Sequence, residues 1–152
     1  MNIGSRAGYP AAALSNFSPH PFELDGVKIN SMEGFLQSLK FESIPMQEHV
    51  CTLVGRAAKF KGKRKNWWTK QVLYWQGKPY KRQSDEYHKL LDRAYQAMYD
   101  QNESFRNALI ASGKATLTHS MGKSDKSQTI LTISEFCGRL MKLRNGEKLW
   151  KS

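Results

Sequence analysis

Residues 31–41 read Ser31-Met-Glu-Gly-Phe-Leu-Gln-Ser-Leu-Lys-Phe41 and decide how the surrounding chain folds. At 3.6 residues per turn, Glu33, Gln37 and Lys40 fall at i, i+4 and i+7, along one stripe of a helix. The residues beside this stripe are large and apolar, namely Met32, Phe35, Leu36, Leu39 and Phe41. Long polar groups are costly to bury unless they are paired, so the stripe is a candidate site at the edge of a core. The alternative is the solvated face of an amphipathic helix that carries one Glu/Lys pair.

A short β-hairpin is predicted immediately before this helix. Residues 22–29 alternate apolar and polar side chains on both sides of Asp25-Gly26, a dipeptide typical of two-residue hairpin turns. Ser31 or Asn30 is expected to cap a helix over residues 31–42. Residues 1–13 are interpreted as a flexible N-terminal lead-in.

Further helices are predicted after the stripe. Pro45 opens a second helix, and the aperiodic segment 59–82 is interpreted as a helix or helical turn around Trp67–Trp75 flanked by loops. Three later helices begin near Ser84, Glu103 and the Thr132–Glu135 capping box. The expected fold class is mainly α, a single multihelical domain over residues 14–146 with a small N-terminal β-hairpin. Residues 147–152 form a C-terminal tail.

Composition is typical of one soluble domain. The chain has 152 residues, of which 39% are hydrophobic and 11% aromatic, enough for a core without disulfides. Cys51 and Cys137 lie in apolar helical patterns and are interpreted as buried small hydrophobes. Without an apolar run of membrane-spanning length or an export signal, we expect no membrane association and a cytoplasmic location.

Positive charge is concentrated in the middle of the chain. The net charge is +11, and residues 49–84 contain ten Lys or Arg side chains and no acidic residue. Aromatic side chains are interleaved with these charges, a combination that favours a phosphate-bearing ligand with rings attached. Nucleic-acid binding is predicted for four clustered residues, namely Lys61, Lys63, Arg64 and Lys65. The alternative is a solubilising basic face whose tryptophans fill the core.

Several familiar catalytic and metal-binding motifs are absent from the sequence. It has no Gly-x-Ser-x-Gly elbow, phosphate-binding glycine-rich loop or dinucleotide fingerprint. The histidines and cysteines show no metal-ligand spacing, so neither a metal nor a cofactor is expected. The remaining candidate is the loop at residues 112–125, which contains small residues and His119. This loop either binds a phosphate or ribose or is only a solvated turn.

These motifs together resemble the NADAR (YbiA-like) family. The opening match is Leu14-Ser-Asn-Phe17, then 21–26, then Ser31-x-Glu33 with Gln37 and Lys40-Phe41. Further matches follow in order, at 55–59, at Arg82 with Ser84 and Tyr87, at 117–122, and at 131–136. The resemblance spans residues 14–144, and the Ser-x-Glu-x-x-x-Gln-x-x-Lys-Phe string is specific.

The resemblance implies a mainly helical domain that hydrolyses N-glycosidic bonds at ribose C1. One branch of the family acts on a phosphoribosylated riboflavin-pathway amine, and another removes ADP-ribose from guanine in DNA and so reverses DarT-type toxins. The riboflavin-type branch carries a Trp-Gly pair in the loop before the last helix, whereas this loop reads His119-Ser-Met-Gly122-Lys-Ser-Asp. The missing tryptophan favours the ADP-ribose branch.

Glu33 and Lys40 are the predicted catalytic residues. Cleavage of a ribosyl–amine bond passes through an oxocarbenium-like state, and Glu33 is assigned as general acid/base. Lys40 has two open roles: it attacks C1 to give a ring-opened Schiff base, or it pairs with Glu33 or a phosphate. Gln37 is expected to orient ribose hydroxyls.

The remaining site residues are assigned to substrate binding. Asn16 and Phe17 are placed against the sugar or base, with a core position as the alternative for Phe17, and Ser31 is also assigned to substrate binding. The diphosphate and distal ribose are assigned to four residues, namely Arg56, Arg82, His119 and Gly122. Arg56 is alternatively a helix C-terminal charge. Trp68 and Trp75 either stack on a base or fill the core.

The sequence therefore favours a glycohydrolase that removes ADP-ribose from guanine bases in DNA. The expected substrate is ADP-ribosylated DNA or nucleotide, the functional counterpart is a DarT-type ADP-ribosyltransferase, and the protein is expected to be a monomer. Two alternatives stay open. One is an N-glycosidase for a small phosphoribosylated metabolite such as a riboflavin-pathway intermediate, and the other is a non-catalytic module that binds ADP-ribose or nucleic acid.

Overall fold

The computed structural model describes residues 1–151, and within this range the chain forms six helices and two antiparallel hairpins. The strands are β1 (Phe22–Leu24), β2 (Val27–Ile29), β3 (Val72–Trp75) and β4 (Lys78–Lys81). The helices are α1 (Met32–Ser38), α2 (Ile44–Cys51), α3 (Gly55–Lys63), α4 (Asp85–Gln101), α5 (Glu103–Ala111) and α6 (Ile133–Arg144). The mainly helical fold expected from the sequence is therefore found, with one more hairpin than predicted.

The N-terminal hairpin forms at the predicted place. Asp25 and Gly26 occupy the two turn positions with φ angles of 50° and 79°, the left-handed region that a tight hairpin turn requires. Strand β1 pairs with β2 so that Phe22 faces Ile29, and both side chains are buried. The Asp25 carboxylate also accepts a 2.8 Å hydrogen bond from Trp75 Nε1 on the second hairpin.

The second hairpin corrects part of the prediction for residues 67–75, because a single turn, in which Gln71 N bonds Trp67 O at 2.9 Å, is followed by strand β3 and not by a helix. Strands β3 and β4 meet at a turn in which Gln76 and Gly77 have φ angles of 48° and 84°. Leu73 and Trp75 are buried on one side of β3, as period-two alternation requires. The amide of buried Gln47 on α2 donates to Tyr74 O (2.6 Å) and accepts from Gln76 N (3.0 Å). These long-range bonds favour the strand over the helix.

Helix α1 is shorter at its C-terminal end than predicted. Ser31 is the N-cap, and its hydroxyl accepts from Gly34 N at 3.0 Å. The helix ends at Ser38 because distant donors use its last carbonyls: Tyr74 N bonds Leu39 O at 2.8 Å and Gln47 Nε2 bonds Ser38 O at 3.2 Å. Lys40 consequently lies in a turn beyond the helix, where its backbone N–H bonds Gln37 O at 3.2 Å.

Helix α3 is a finding that the sequence did not predict. The helix opened by Pro45 stops at Cys51, and a new helix begins at Gly55, whose φ of +59° turns the chain. Glycine adopts this angle at little cost, so the two helices are separate segments. Helix α3 contacts α1, which brings its lysines toward the polar stripe.

Helices α4, α5 and α6 form where the sequence predicted them. Their N-caps are Ser84, Asn102 and Thr132, and Thr132 with Glu135 forms the predicted capping box. The core between these helices, α1 and the hairpins includes fully buried aromatic side chains, namely Phe35, Tyr87, Tyr95, Phe105 and Phe136. Cys51 and Cys137 are both buried and unpaired, as predicted.

The chain ends are attached to the domain. Residues 1–3, predicted as part of a flexible lead-in, pair with 116–118, where Ile3 N bonds Thr118 O at 2.8 Å and the Ile3 side chain is buried. In the predicted tail, Leu149 N donates to Gln96 Oε1 at 2.7 Å, while Ser152 lies outside the described residues. No helix within residues 1–151 is long and apolar enough to cross a membrane.

Candidate functional site

Glu33 lies in the first turn of α1, and the loop before the β1–β2 hairpin fixes its position. Its backbone N–H donates to Asn16 O at 3.0 Å, and the Asn16 side-chain oxygen accepts from Tyr95 Oη at 2.8 Å. Tyr95 is fully buried on α4. The predicted residue Asn16 therefore holds the start of α1 and the central helix together, beside the predicted catalytic carboxylate.

Gln37 stands one turn after Glu33 and touches it. Gln37 Nε2 donates to Glu33 Oε2 at 2.7 Å. Gln37 is only 7% exposed, and its Oε1 has no hydrogen-bond partner among residues 1–151. The side chain packs against Gly62 of α3 so closely that a Cβ at position 62 would collide with the amide. Gly62 thus fixes the Gln37 side chain at the edge of the site.

Lys40 completes the stripe although it lies beyond the helix. Its Nζ is 3.4 Å from Gly62 O, a long hydrogen bond to the glycine that also contacts Gln37. Burial lowers the pKa of Lys40, and the charge of Glu33 only partly opposes that shift. A lowered pKa increases the fraction of free amine, the form that can act as a nucleophile.

The Glu33 carboxyl is also perturbed. Burial raises its pKa above the ordinary value, against the hydrogen bond from Gln37 and the charges of Lys40, Lys59 and His119. A carboxyl with a raised pKa is suited to general acid catalysis, because more of it stays protonated as the pH rises. The stripe therefore joins an acid and an amine whose pKa values are both shifted toward neutrality.

A cavity of about 420 Å³ opens beside the stripe. Its lining residues are Gln37, Lys40, Lys59, Lys63, Trp67, Trp68, Lys123, Ser127 and Gln128. Trp68 lines this cavity with 48% of its surface exposed, whereas Trp75 is buried in edge-to-face contact with Phe35, 5.1 Å between ring centroids. Of the two tryptophans considered for stacking, only Trp68 has a free ring face.

His119 and Gly122 lie in the loop before α6, outside the cavity lining. His119 Nδ1 donates to Ile3 O at 2.8 Å, and its ring packs edge-on against Phe136. A Cβ on Gly122 would lie 2.7 Å from Ile133 Cγ1 and 2.9 Å from His119 Cδ2, so the loop closes only around a glycine at this position. His119 is close enough to influence the pKa of Glu33.

The other predicted binding residues occupy different places. Phe17 is half-buried near Gly55 at the start of α3, and Arg56 is exposed in the first turn of that helix rather than at a helix C-terminus. Ser31 is fully buried, where its hydroxyl donates to Leu53 O at 2.9 Å.

Arg82 lies apart from the cavity. It is fully buried, and its guanidinium bonds Glu135 Oε1 at 2.7 Å, Glu135 Oε2 at 3.2 Å and Thr129 O at 2.8 Å. The guanidinium also lies over the Tyr87 ring, 5.1 Å from its centroid. All three guanidinium nitrogens are thus bonded to the loop before α6 or to α6 itself, so Arg82 holds that loop in place.

The four residues predicted to bind nucleic acid separate into two groups. Lys63 lines the cavity, whereas Lys61, Arg64 and Lys65 are exposed outside its lining. Lys65 Nζ lies 5.2 Å from the centroid of the Phe41 ring. The exposed group lies at the C-terminal end of α3 and just beyond it, where Phe60 is also 61% exposed.

The sequence of this chain matches a known protein family. The family described as bacteriophage protein GP30.3 matches residues 8–145. The chain belongs to this family. It is 37% identical over 147 residues, 95% of this chain and 97% of the relative, to the "Uncharacterized 17.1 kDa protein in Gp30-rIII intergenic region" of Enterobacteria phage T4.

The fold of this GP30.3 family chain is similar to a solved structure. The NMR structure of the E. coli protein YbiA matches 96% of the chain and 83% of its own length, with a TM-score of 0.63 and 19% identity. At this identity the likeness shows a shared fold. The YbiA-like fold implied by the sequence resemblance is therefore confirmed.

The sequence analysis missed four of the cavity's polar lining residues in this GP30.3 family chain, namely Lys59, Lys123, Ser127 and Gln128. Lys59 and Lys63 stand at i and i+4 on α3, and this spacing was a usable signal once residues 55–63 were known to be helical. Lys123 and Gln128 come from the loop before α6 and have no local signal. Within residues 1–151, no three His, Cys, Asp or Glu side chains converge as metal ligands.

Proposed function

We propose that the chain hydrolyses the N-glycosidic bond between ADP-ribose and guanine in DNA, reversing the modification made by a DarT-type ADP-ribosyltransferase. The observation that carries the proposal is the Glu33–Gln37–Lys40 stripe, in which Gln37 and Lys40 line the lysine-rich cavity and Gln37 bonds Glu33 behind them. The YbiA-like fold and the motif resemblance support chemistry at ribose C1.

Water replaces guanine at C1 in this reaction. The C1–N bond breaks, an oxocarbenium-like ribosyl centre develops, and the leaving nitrogen takes a proton. Protonated Glu33 supplies that proton, and the resulting carboxylate then deprotonates the water that adds to C1. Gln37 orients the Glu33 carboxyl toward the ribose through its 2.7 Å Nε2 hydrogen bond, while its Oε1 is packed against Gly62.

Lys40 is assigned one of two roles in this scheme. Its lowered pKa supports attack on C1, which displaces guanine as Glu33 protonates the leaving nitrogen. The bond between C1 and the ring oxygen then breaks to give a Schiff base, which water hydrolyses to free the amine and ADP-ribose. The contact of Lys40 with Gly62 O supports a fixed positive charge beside Glu33 instead.

The direct test is incubation of the purified chain with an oligonucleotide bearing ADP-ribose on guanine. We expect free ADP-ribose and unmodified oligonucleotide, resolved by chromatography and mass spectrometry. Binding of the modified oligonucleotide without any release would instead identify a non-catalytic module.

The pH dependence of kcat/KM tests the two perturbed groups. With protonated Glu33 as the acid and neutral Lys40 as the nucleophile, we expect a bell whose acid limb lies above 4.5, the ordinary pKa of Glu33, and whose alkaline limb lies below 10.5, the ordinary pKa of Lys40. Both limbs move inward because burial penalises the charged form of each group. In Lys40→Arg, any residual activity should instead fall as the pH rises through the pKa of Glu33, because only the protonated carboxyl can donate to the leaving base. Limbs at or outside 4.5 and 10.5 would contradict the assignment.

A small phosphoribosylated metabolite is the second candidate substrate. It is favoured by the compactness of the cavity, which collects three lysines, Lys59, Lys63 and Lys123, around about 420 Å³. A metabolite held inside this cavity would not reach the exposed cations outside its lining.

Neutralising those exposed cations separates the two candidates. In K61Q/R64Q/K65Q, a DNA substrate should show a KM raised about tenfold and a salt dependence shallower by about 2 to 3 in log–log slope, because counterion release is lost. The matched control K114Q/K142Q/K148Q removes three exposed charges elsewhere and should change neither value. An unchanged KM in the first variant, with turnover of a phosphoribosylamine, would favour the metabolite.

A further inference from the structure

Four lysine side chains surround the cavity, namely Lys40, Lys59, Lys63 and Lys123. None of them forms an ion pair with Asp or Glu in the part of the chain that the structure describes. Glu33 is the acidic group nearest to them, and the charges of Lys40 and Lys59 lower its pKa against the effect of burial. Ammonium groups held together without counterions repel one another, so an anion is the natural occupant of the space between them.

The walls that carry these charges are fixed before any ligand arrives. Lys59 and Lys63 project from one face of α3, and Lys123 stands opposite, where its carbonyl accepts from Ile133 N at 2.9 Å. Gln71 joins the Trp68 wall to the loop before α6, because its Nε2 donates to Trp68 O at 2.8 Å and to Ser127 O at 2.9 Å. The separation of the cations is therefore built into the fold.

We infer that Lys59, Lys63 and Lys123 form a subsite for two linked phosphate groups, with the exposed Trp68 ring receiving a base attached to them. One ammonium balances the single charge of a phosphodiester, whereas three that form no ion pair within residues 1–151 are enough for the two charges of an esterified diphosphate or of two successive phosphodiesters. The half-exposed indole of Trp68 offers a stacking face in the same cavity.

This subsite replaces the earlier assignment of the diphosphate to Arg56 and Arg82. Arg82 is fully buried against Glu135, and Arg56 does not line the cavity. One part of the inference rests on the proposed function, namely the position of the ribose. The ribose connects the phosphates to the N-glycosidic bond that the proposed mechanism places beside Glu33. The phosphate site itself stands on the lysines alone.

Binding without turnover tests the subsite. The full chain is titrated calorimetrically with pyrophosphate, with ADP-ribose and with an unmodified single-stranded oligonucleotide. Each of K59Q, K63Q and K123Q should weaken the bound probe about tenfold or more, because each removes a charge-assisted hydrogen bond. The matched control K61Q, on the same helix but outside the lining, should leave pyrophosphate binding within about twofold. Trp68→Ala should weaken ADP-ribose and spare pyrophosphate.

The three probes distinguish the sources of phosphate. Lysine-dependent binding of pyrophosphate and ADP-ribose identifies a sugar diphosphate, and lysine-dependent binding of the oligonucleotide alone identifies the nucleic-acid backbone. The inference is overturned if no probe loses affinity in the three lysine variants, or if K61Q weakens pyrophosphate as much as they do. Pyrophosphate binding in a chain that releases no ADP-ribose from DNA would retain the subsite and refute the hydrolase.

Discussion

Glu33→Gln is expected to lower the release of ADP-ribose from modified DNA by about 10²- to 10⁴-fold, while the protein keeps its fold. The amide has the same shape and can still accept the hydrogen bond from Gln37, but it can neither donate a proton to the leaving base nor take one from water. Release is measured as free ADP-ribose under single-turnover conditions, which separates the chemical step from product release.

The thermal stability of Glu33→Gln should stay the same or increase, although its activity falls. The folded-state pKa of Glu33 is raised, so the folded protein binds more protons than the unfolded chain between the two pKa values. The ionised carboxylate therefore costs stability as the pH rises from 4.5 through the folded-state pKa, and an amide removes that cost. The melting temperature of Glu33→Gln at neutral pH should equal or exceed that of the wild type.

Glu48→Gln provides the matched control, because Glu48 is an exposed carboxylate on the neighbouring helix α2. It should change neither the rate nor the melting temperature. Unchanged release in Glu33→Gln would remove Glu33 from the mechanism, and a lost rate accompanied by a large drop in melting temperature would assign it a structural role.

The helices that could be predicted from sequence are those whose signals are local. Ser84, Asn102 and Thr132 each cap the helix that follows, and apolar periodicity in α4 and α6 continues for several turns. The Asp25-Gly26 turn is equally local, since its two residues adopt positive φ angles by themselves. The stripe of Glu33 and Gln37 was also visible, because i, i+4 spacing alone brings the two side chains into contact.

The second hairpin and the end of α1 were not predictable, because long-range bonds decide both. The Gln47 amide binds the Tyr74 and Gln76 backbone of the hairpin, and Tyr74 N in turn occupies Leu39 O at the end of α1. A sequence window around residue 40 contains none of these partners. Lys123 was missed for the same reason, because it lines the cavity from a loop that is distant in sequence from the other lysines.

The role of Arg82 is the clearest case in which the structure reinterprets a residue singled out by motif. Burial alone would raise the pKa of Glu135, but the Arg82 guanidinium and the Thr132 backbone N–H hold it below the ordinary value. Glu135 also completes the capping box of α6. One carboxylate thus joins a helix N-terminus, the end of the second hairpin and the loop that carries Lys123.

Arg82→Met is accordingly expected to be the most destabilising substitution at a motif residue. It leaves the Glu135 carboxylate buried without its main partner, which costs about 3 to 5 kcal/mol of unfolding free energy, a drop in melting temperature on the order of 10 °C for a chain of this size. Urea unfolding at neutral pH measures the loss. Adding Glu135→Gln should restore part of it, because the double variant no longer buries an unpaired charge.

Arg93→Met is the matched control, because it removes a partly exposed ion pair instead of a buried one. Arg93 and Asp25 form an ion pair at 2.9 Å with side chains 25% and 35% exposed, so its removal should cost only about 0.2 to 1 kcal/mol.

Because the pKa of Glu135 is lowered by folding, its contribution to stability is present above the ordinary pKa of 4.5 and lost as the pH falls through the lower folded-state value. The stability gap between wild type and Arg82→Met should therefore narrow in acid. A gap that stays constant down to that range would mean that Arg82 stabilises the loop through Thr129 and Tyr87 rather than through Glu135.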